Sequence, residues 1–377
     1  MKKFKFYPVL IFTLALLTLL CKQSTEPEEY TYTLPTLEAG VPAQSLEQFE
    51  QRLESLRIDM NNTPGMSACI IKNRQVVWAK GFGYADKEDN IQAAPNTVYS
   101  IASMTKSMAS VVIMHLVEEG LLDLETPVSE FGIELESNGV ILVKHLLTHT
   151  SESIPGTYFN YDGNRFSYLD QIIEQVSGKP FGELLIEKVI DPLGMTNTAC
   201  NPYNLYSYEL FNVNRSEFER KIAKPYWLDG KSPIIYDMYF GTSAGIFSSV
   251  MDLAKFSIAV DNRMLISEES WEEILTQITL NNGERFPYGY AWFIQNYNGV
   301  QIIWHGGAWN GTSGFLVKIP ERELTFIIIG NTQLLQWSHP QIRNDGDVTR
   351  SVIVTEFLNA FIFGTAELPD TPWSPLI

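Results

Sequence analysis

Two β-hairpins at opposite ends of the chain constrain its fold more than any other feature. The first joins Met66-Ser67-Ala68-Cys69-Ile70-Ile71 to Val76-Val77-Trp78-Ala79 around the polar turn Lys72-Asn73-Arg74-Gln75. The second joins 314–319 to 324–329 through Pro320-Glu321-Arg322-Glu323. Apolar, β-branched runs bounded by polar turns read as strands. A lone hairpin is marginal in water, so each must find further strands to pair with. Strand-like runs at 290–294 and 300–304 precede the second hairpin, whereas the middle of the chain reads as helices and loops. The pattern therefore predicts an α/β (α+β) architecture: a central antiparallel sheet built from both ends of the chain, flanked by terminal helices, with an inserted, mainly helical subdomain.

The helices have their own signals. Residues 45–60 carry Leu46, Phe49, Leu53 and Leu56 on one side, and 352–361 reads as a closing helix. Ser249-Val250-Met251-Asp252 is a capping box ahead of the apolar stretch 253–260. Within the insert, 143–149 and 169–176 are periodic, Ser177-Gly178-Lys179-Pro180 ends one helix, 181–190 begins another and 191–195 is a turn. The aromatic-rich stretch 200–240 fits no regular pattern, and its Trp and Tyr residues suit either a substrate cleft or core packing.

The chemistry gathers at 99–120. Met104, Met108, Val111, Val112 and Leu116 repeat with helical period, and Gly120 follows as a C-cap. Ser103 falls in the first turn and Lys106 one turn later, so both side chains share a face. A hydroxyl beside an amine at the positive end of a helix is a candidate activated nucleophile. Chance supplies Ser-x-x-Lys on the order of once in a chain this long, so the tetrapeptide needs support from elsewhere.

Lys2, Lys3 and Lys5 precede an apolar run over 9–20, and Cys21 follows it. A basic segment ahead of a short apolar one is an export signal, too short for a comfortable membrane span. The expectation is a bacterial lipoprotein whose mature first residue is a lipidated Cys21, held to the membrane by that lipid on the periplasmic or surface side of the cell envelope. Thr18-Leu19-Leu20 lacks a small residue before the cysteine, which leaves an uncleaved anchor or plain secretion as alternatives. The expected organisation is signal 1–21, tether 22–43, one catalytic domain 44–365 and a tail 366–377. Within that domain, 44–98 and 283–365 build the sheet subdomain and 99–282 is the helical insert. Loss of residues 1–20 with their three lysines takes the net charge from −17 to −20. So acidic a body excludes nucleic acid and electrostatic binding to anionic lipid. Cys69 and Cys200 are the other cysteines, and one disulfide between them is conceivable in an exported protein.

These pieces stand in an order that resembles the β-lactamase-related serine hydrolases: class C β-lactamases, DD-carboxypeptidases, D-aminopeptidases and the esterases of the same penicillin-binding-protein-like fold. The resemblance runs over roughly 60–330. It includes Pro64-Gly65-Met66, Ser103-x-x-Lys106, Leu121-Leu122-Asp123-Leu124-Glu125-Thr126-Pro127-Val128 and His145-Leu146-Leu147-Thr148-His149-Thr150-Ser151. It continues through Pro155-Gly156-Thr157, Ile172-Ile173-Glu174-Gln175-Val176-Ser177-Gly178, Pro192-Leu193-Gly194-Met195, Ala244-Gly245-Ile246 and His305-Gly306-Gly307. The resemblance implies an acyl-enzyme on Ser103, with Lys106 helping to take its proton and Tyr161 serving as general base and leaving-group acid. It places His305 on the third motif, Gly306 and Gly307 beside the substrate, and the backbone N–H groups of Ser103 and Ala308 in the oxyanion hole.

Two positions depart from the family pattern. Gly163 stands where the Tyr-x-Asn motif has its amide, and Glu152 replaces the glycine of Thr-Ser-Gly, putting a carboxylate near the expected site. Lys-Thr-Gly is absent from the chain. Ester hydrolysis or cleavage of D-amino-acid or peptidoglycan-derived peptides fits better than β-lactam hydrolysis, with no cofactor and no metal. A catalytically impaired protein with a binding role is the alternative. Gly241-Thr242-Ser243-Ala244-Gly245 matches the nucleophile elbow of α/β-hydrolases, with Asp261 and His305 following in order, although the capping box starts the next helix too late for an elbow. His145 and His149 have metal-ligand spacing but no third ligand in view, and packing or capping is the expected role for them and for His115.

Overall fold

The two hairpins pair with each other. Strand β1 (Gly65–Lys72) turns into β2 (Gln75–Asp86), which pairs with the short β3 (Ile91–Gln92). From the other end come β4 (Phe293–Tyr297), β5 (Val300–Trp309), β6 (Thr312–Ile319) and β7 (Leu324–Gly330). The seven strands lie in the order β3-β2-β1-β7-β6-β5-β4, every neighbouring pair antiparallel. The join between the two ends is β1 on β7, with Met66 opposite Gly330 and Lys72 opposite Leu324. This computed structural model describes residues 42–60, 63–337 and 342–374. The export segment, Cys21 and most of the tether lie outside the described residues.

Because β1 and β7 are central and covered on both faces, they read as continuous apolar runs rather than alternating ones. One face carries the terminal helices α1 (Leu46–Asp59) and, from the far end of the chain, a partner over Val352–Phe361. Phe326 of β7 stacks on Phe357 with ring centres 4.8 Å apart and meets Phe49 edge-on at 5.8 Å. Arg52 of α1 binds the buried Glu356 at 3.0 Å, which ties the two terminal helices together.

The other face receives the insert. Helix α2 (Thr105–Glu118) is buried on nearly all sides, including at its polar residues Lys106, Ser107 and Ser110. A helix walled in on every side belongs to the interior, so the sequence periodicity understated its burial. Helix α3 (Leu169–Ser177) packs against α2, and α4 (Val250–Asp261) packs directly on β1 and β7, capped by the Ser249 hydroxyl on the Asp252 N–H as the capping box predicts. With α5 (Val352–Phe361) on the opposite face, the sheet is sandwiched between helical layers.

Several local expectations change. Ser103 sits in a separate 3-10 turn, Ala102–Met104, rather than in the first α-helical turn. The segment 181–190 is an α-helical turn (Phe181–Leu185) continued by a wider π turn (Ile186–Ile190). At the leading edge of the aromatic stretch, Ala199–Cys200 joins a small sheet with Ile246–Ser248 and Tyr99–Ser100, the lead-in to Ser103. Cys69 and Cys200 are both free and buried, so the conceivable disulfide is not formed.

Candidate active site

The lead-in to Ser103 is held from both sides. Tyr99 and Ser100 pair with Ser248 and Phe247, the Ile101 N–H donates to the Ile246 carbonyl, and Thr312 of β6 donates its hydroxyl to the Ser100 carbonyl. Ala102 is driven into the left-handed region at φ +45°, a conformation that costs a non-glycine residue on the order of 1 kcal/mol and persists only where the surroundings impose it. The turn presents Ser103, nearly buried, to a cavity of about 530 Å³.

Lys106 lies one turn on and is also buried. Its ammonium donates to the Ser243 carbonyl at 2.7 Å and to Ser103 Oγ at 3.4 Å. The rings of Phe166 and Tyr161 stand 5.1 and 5.2 Å away and receive the remaining face of the cation. Burial first, and then the Arg343 guanidinium, push the lysine down from its ordinary value to about 7, against the pull of Asp162 and Asp170. At neutral pH a large share of Lys106 is therefore a free amine able to accept a proton.

Tyr161 is set by its neighbours along the chain. Asp162 caps the short helix Gly163–Ser167 by accepting from the Asn164 and Arg165 N–H groups. The Asp162 N–H in turn donates to Nδ1 of the buried His149, at φ +54°. The His149 ring then lies 4.2 Å from that of Tyr161, and burial holds it neutral, well below the usual histidine range. The Tyr161 hydroxyl is out of reach of solvent and makes no well-formed hydrogen bond. Burial pushes it up to about 12, while Arg343 and Ser103 favour the phenolate. At neutral pH it holds its proton.

His305 lies behind Tyr161, ring centres 6.2 Å apart, in a box with Tyr288 and Phe293. Its Nδ1 is 2.7 Å from the Gly306 carbonyl and its Nε2 is 3.4 Å from the Tyr288 hydroxyl. Burial and the Lys106 charge hold it down at about 3, so it is a neutral ring that shapes the wall rather than a cation facing the cavity. On the same strand a Cβ at Gly307 would fall 2.0 Å from the Ile101 carbonyl oxygen and 3.2 Å from the Ser103 nitrogen. Only glycine lets β5 lie against the backbone of the nucleophile. A Cβ at Gly306 points the other way, onto Gln336. Ala308 and Trp309 then line the cavity together with Ser103.

Of the residues singled out in the sequence, Ser103, Lys106, Tyr161, Gly163, Ser243 and Ala308 line the cavity, while His305, Gly306 and Gly307 do not. Glu152 is turned away, toward Arg165 at 4.0 Å and the Tyr158 hydroxyl. The rival triad does not assemble: Ser243 offers its carbonyl to Lys106, Asp261 pairs with the buried Lys318 at 2.8 Å, and His305 bonds to neither. His145 Nδ1 accepts from the Leu142 N–H, a capping role. Arg343, Tyr236 and Tyr239 also line the cavity and were not picked individually from the sequence. The aromatic bias of 200–240 announces the two tyrosines as a class. Nothing local marks Arg343, which reaches the site only because its segment folds back over it.

The family profile described as Beta-lactamase matches residues 47–343. A curated relative, the putative penicillin-binding protein PbpX of Bacillus subtilis, is 28% identical over 255 residues, which cover 60% of this chain and 61% of the relative. The chain thus spans about three fifths of that relative's length. Among solved structures, an octameric penicillin-binding protein homologue from Pyrococcus abyssi is 27% identical with a TM-score of 0.70, covering 83% of this chain and 77% of that one. The D-alanine carboxypeptidase AmpC from Burkholderia cenocepacia superposes with a TM-score of 0.67 at 17% identity, over 82% of this chain and 98% of its own, a likeness of fold.

Proposed function

The chain belongs to the β-lactamase family, and on that premise we propose that it is a serine hydrolase that works through an acyl-enzyme on Ser103 and cleaves an ester or a D-amino-acid peptide. The observation that carries this reading is the buried contact between Ser103 and a lysine brought down to about 7. An ammonium at its ordinary value would be inert as a base, whereas a half-neutral one beside a hydroxyl is matched to its task. The same depression weighs against a purely binding role.

The protons are accounted for as follows. Lys106 accepts the Ser103 proton as Oγ attacks the acyl carbon, and the carbonyl oxygen becomes an oxyanion facing the N–H groups of Ser103 and Ala308. As the tetrahedral intermediate collapses, the C–O or C–N bond breaks and Tyr161, protonated at neutral pH, passes its proton to the leaving group. The phenolate recovers a proton from the Lys106 ammonium. Water then attacks the acyl-enzyme by the same relay in reverse, releasing the acid and restoring Ser103. A buried phenol near 12 is a poor resting base, so the division of labour favours lysine as base and tyrosine as acid.

The substrate proposal follows from the missing Lys-Thr-Gly and the neutral His305, which leave β5 without a cation beside Ser103. The chain's place is proposed as the cell envelope, with Cys21 lipidated and 22–43 as the tether. Radiolabelled palmitate incorporated by the wild type and lost in Cys21→Ser tests that part. For the chemistry, wild type and Ser103→Ala are incubated with a fluorophosphonate and a fluorescent penicillin, then assayed on short-chain esters, D-Ala-D-Ala peptides and a chromogenic cephalosporin. Label and ester or D-peptide turnover should require Ser103. Equal labelling and turnover in Ser103→Ala would overturn the proposal.

A further inference from the structure

Gly163 offers Lys106 no side chain, and a Cβ there would stand 3.7 Å from Lys106 Nζ with open room around it. The ammonium nonetheless has a short, well-made bond to the Ser243 carbonyl. That carbonyl belongs to a tight loop closed by the Gly241 N–H on the Ala244 carbonyl. Asp170, in the first turn of α3, reaches into the loop. Its Oδ1 accepts from the Thr242 N–H at 2.6 Å and its Oδ2 from the Tyr239 hydroxyl at 3.3 Å, while Ser243 Oγ donates to Tyr239 at 3.0 Å. A Cβ at Gly241 would fall 2.2 Å from Asp170 Oδ2, so glycine there is what admits the carboxylate.

We propose that Asp170 is a positioning residue for the Ser103 reaction: by gripping the Gly241–Thr242 peptide N–H and the Tyr239 hydroxyl, to which Ser243 Oγ donates, it aims the Ser243 carbonyl at the Lys106 ammonium in place of the side-chain amide absent at 163. The carboxylate acts on the lysine in two ways of the same sign. It fixes the acceptor that stabilises the ammonium, and its own negative charge favours the protonated form. Glu174 lies one turn along α3, Tyr239 faces it from the loop with its hydroxyl pushed up to about 12 by burial, and Lys106 lies across on α2 with Asp162 beyond. Burial raises Asp170 to about 6, against the hydrogen bonds of Thr242 and Tyr239, so the clamp is ionised at neutral pH and relaxes in mild acid.

The inference rests on Ser103 being the nucleophile, and its test separates the two. The rate of Ser103 labelling by a fluorophosphonate is followed from about pH 5 to 9 in the full-length chain. Wild type without Ser103-dependent label would sink the functional reading itself. With wild type labelled, Asp170→Asn should slow labelling about tenfold through misalignment. Its acid limb should also move to lower pH by about half a unit or more, because the lysine loses both supports. Adding Gly163→Asn to Asp170→Asn should restore much of the rate by supplying a side-chain acceptor. A wild-type rate and limb in Asp170→Asn overturns the proposal. So does a slow variant whose limb stays put and which Gly163→Asn fails to rescue, since that is the behaviour of a merely structural residue. If Asp170→Asn does not fold, Tyr239→Phe removes one donor at a part-exposed side chain, and a smaller shift in the same direction is required.

Discussion

Arg343 stands 5.4 Å from the centre of the Tyr161 ring, and Lys106 Nζ stands 5.2 Å from the same centre. The two cations are therefore at most about 11 Å apart, and their repulsion is worth about 0.4 kcal/mol in a fully aqueous dielectric and about 1.5 kcal/mol at an effective dielectric of about 20. At about 1.4 kcal/mol per unit, replacing Arg343 by Met should raise Lys106 from about 7 by roughly 0.3 to 1 unit. The sign is fixed: a neighbouring cation disfavours the ammonium, so its removal favours it, and the free amine that takes the Ser103 proton appears only at higher pH. The assay is the second-order rate of fluorophosphonate labelling against pH for wild type and Arg343→Met. The acid limb should sit near 7 in the wild type and move upward in the variant, with the plateau above about pH 9 nearly unchanged. A limb that stays in place, or moves down, would refute the assignment of the limb to Lys106. The shift expected for Asp170→Asn runs the opposite way, so the two variants bracket the lysine from both signs of charge.

Gly307→Ala should cost about 1–3 kcal/mol in denaturant melts and about a hundredfold or more in labelling rate, since its methyl would meet the Ile101 carbonyl at 2.0 Å and push β5 off the Ser103 N–H. Lys106→Met should abolish labelling yet raise the thermal midpoint, most at about pH 6 and little near pH 10. The folded-state value near 7 against the ordinary 10.5 means that a buried charge is carried at full cost below 7 and shed as pH rises through that window. In a Cys21→Ser background, Cys69 and Cys200 should be silent to a thiol reagent in the native protein and both react on unfolding. Each is buried, and burial pushes the Cys200 thiol up to about 12 and Cys69 higher still.

How much of this was legible in the chain differs by element. The central strands, the capped helix α4 and the closing helix α5 announced themselves because hydrophobic period and capping chemistry are local. The β1–β7 join followed from hairpins that had to find partners. Ser103 and Lys106 were legible because a spacing of three puts two side chains together on either a 3-10 or an α-helical turn, although the turn that holds Ser103 is 3-10. Tyr161 and Ala308 needed the family pattern, since nothing in their own neighbourhoods marks them. What only the tertiary structure decided is the state of those groups. The lysine's descent to about 7 comes from burial by α2's neighbours and from Arg343, far along the chain. The neutrality of His305 comes from its aromatic box, and the support that replaces the amide at 163 comes from Asp170 through a loop some seventy residues on. Covalent neighbours set which side chains exist and where along an element they point. Desolvation and charge at a distance set what those side chains can do, and these depend on parts of the chain that only folding brings together.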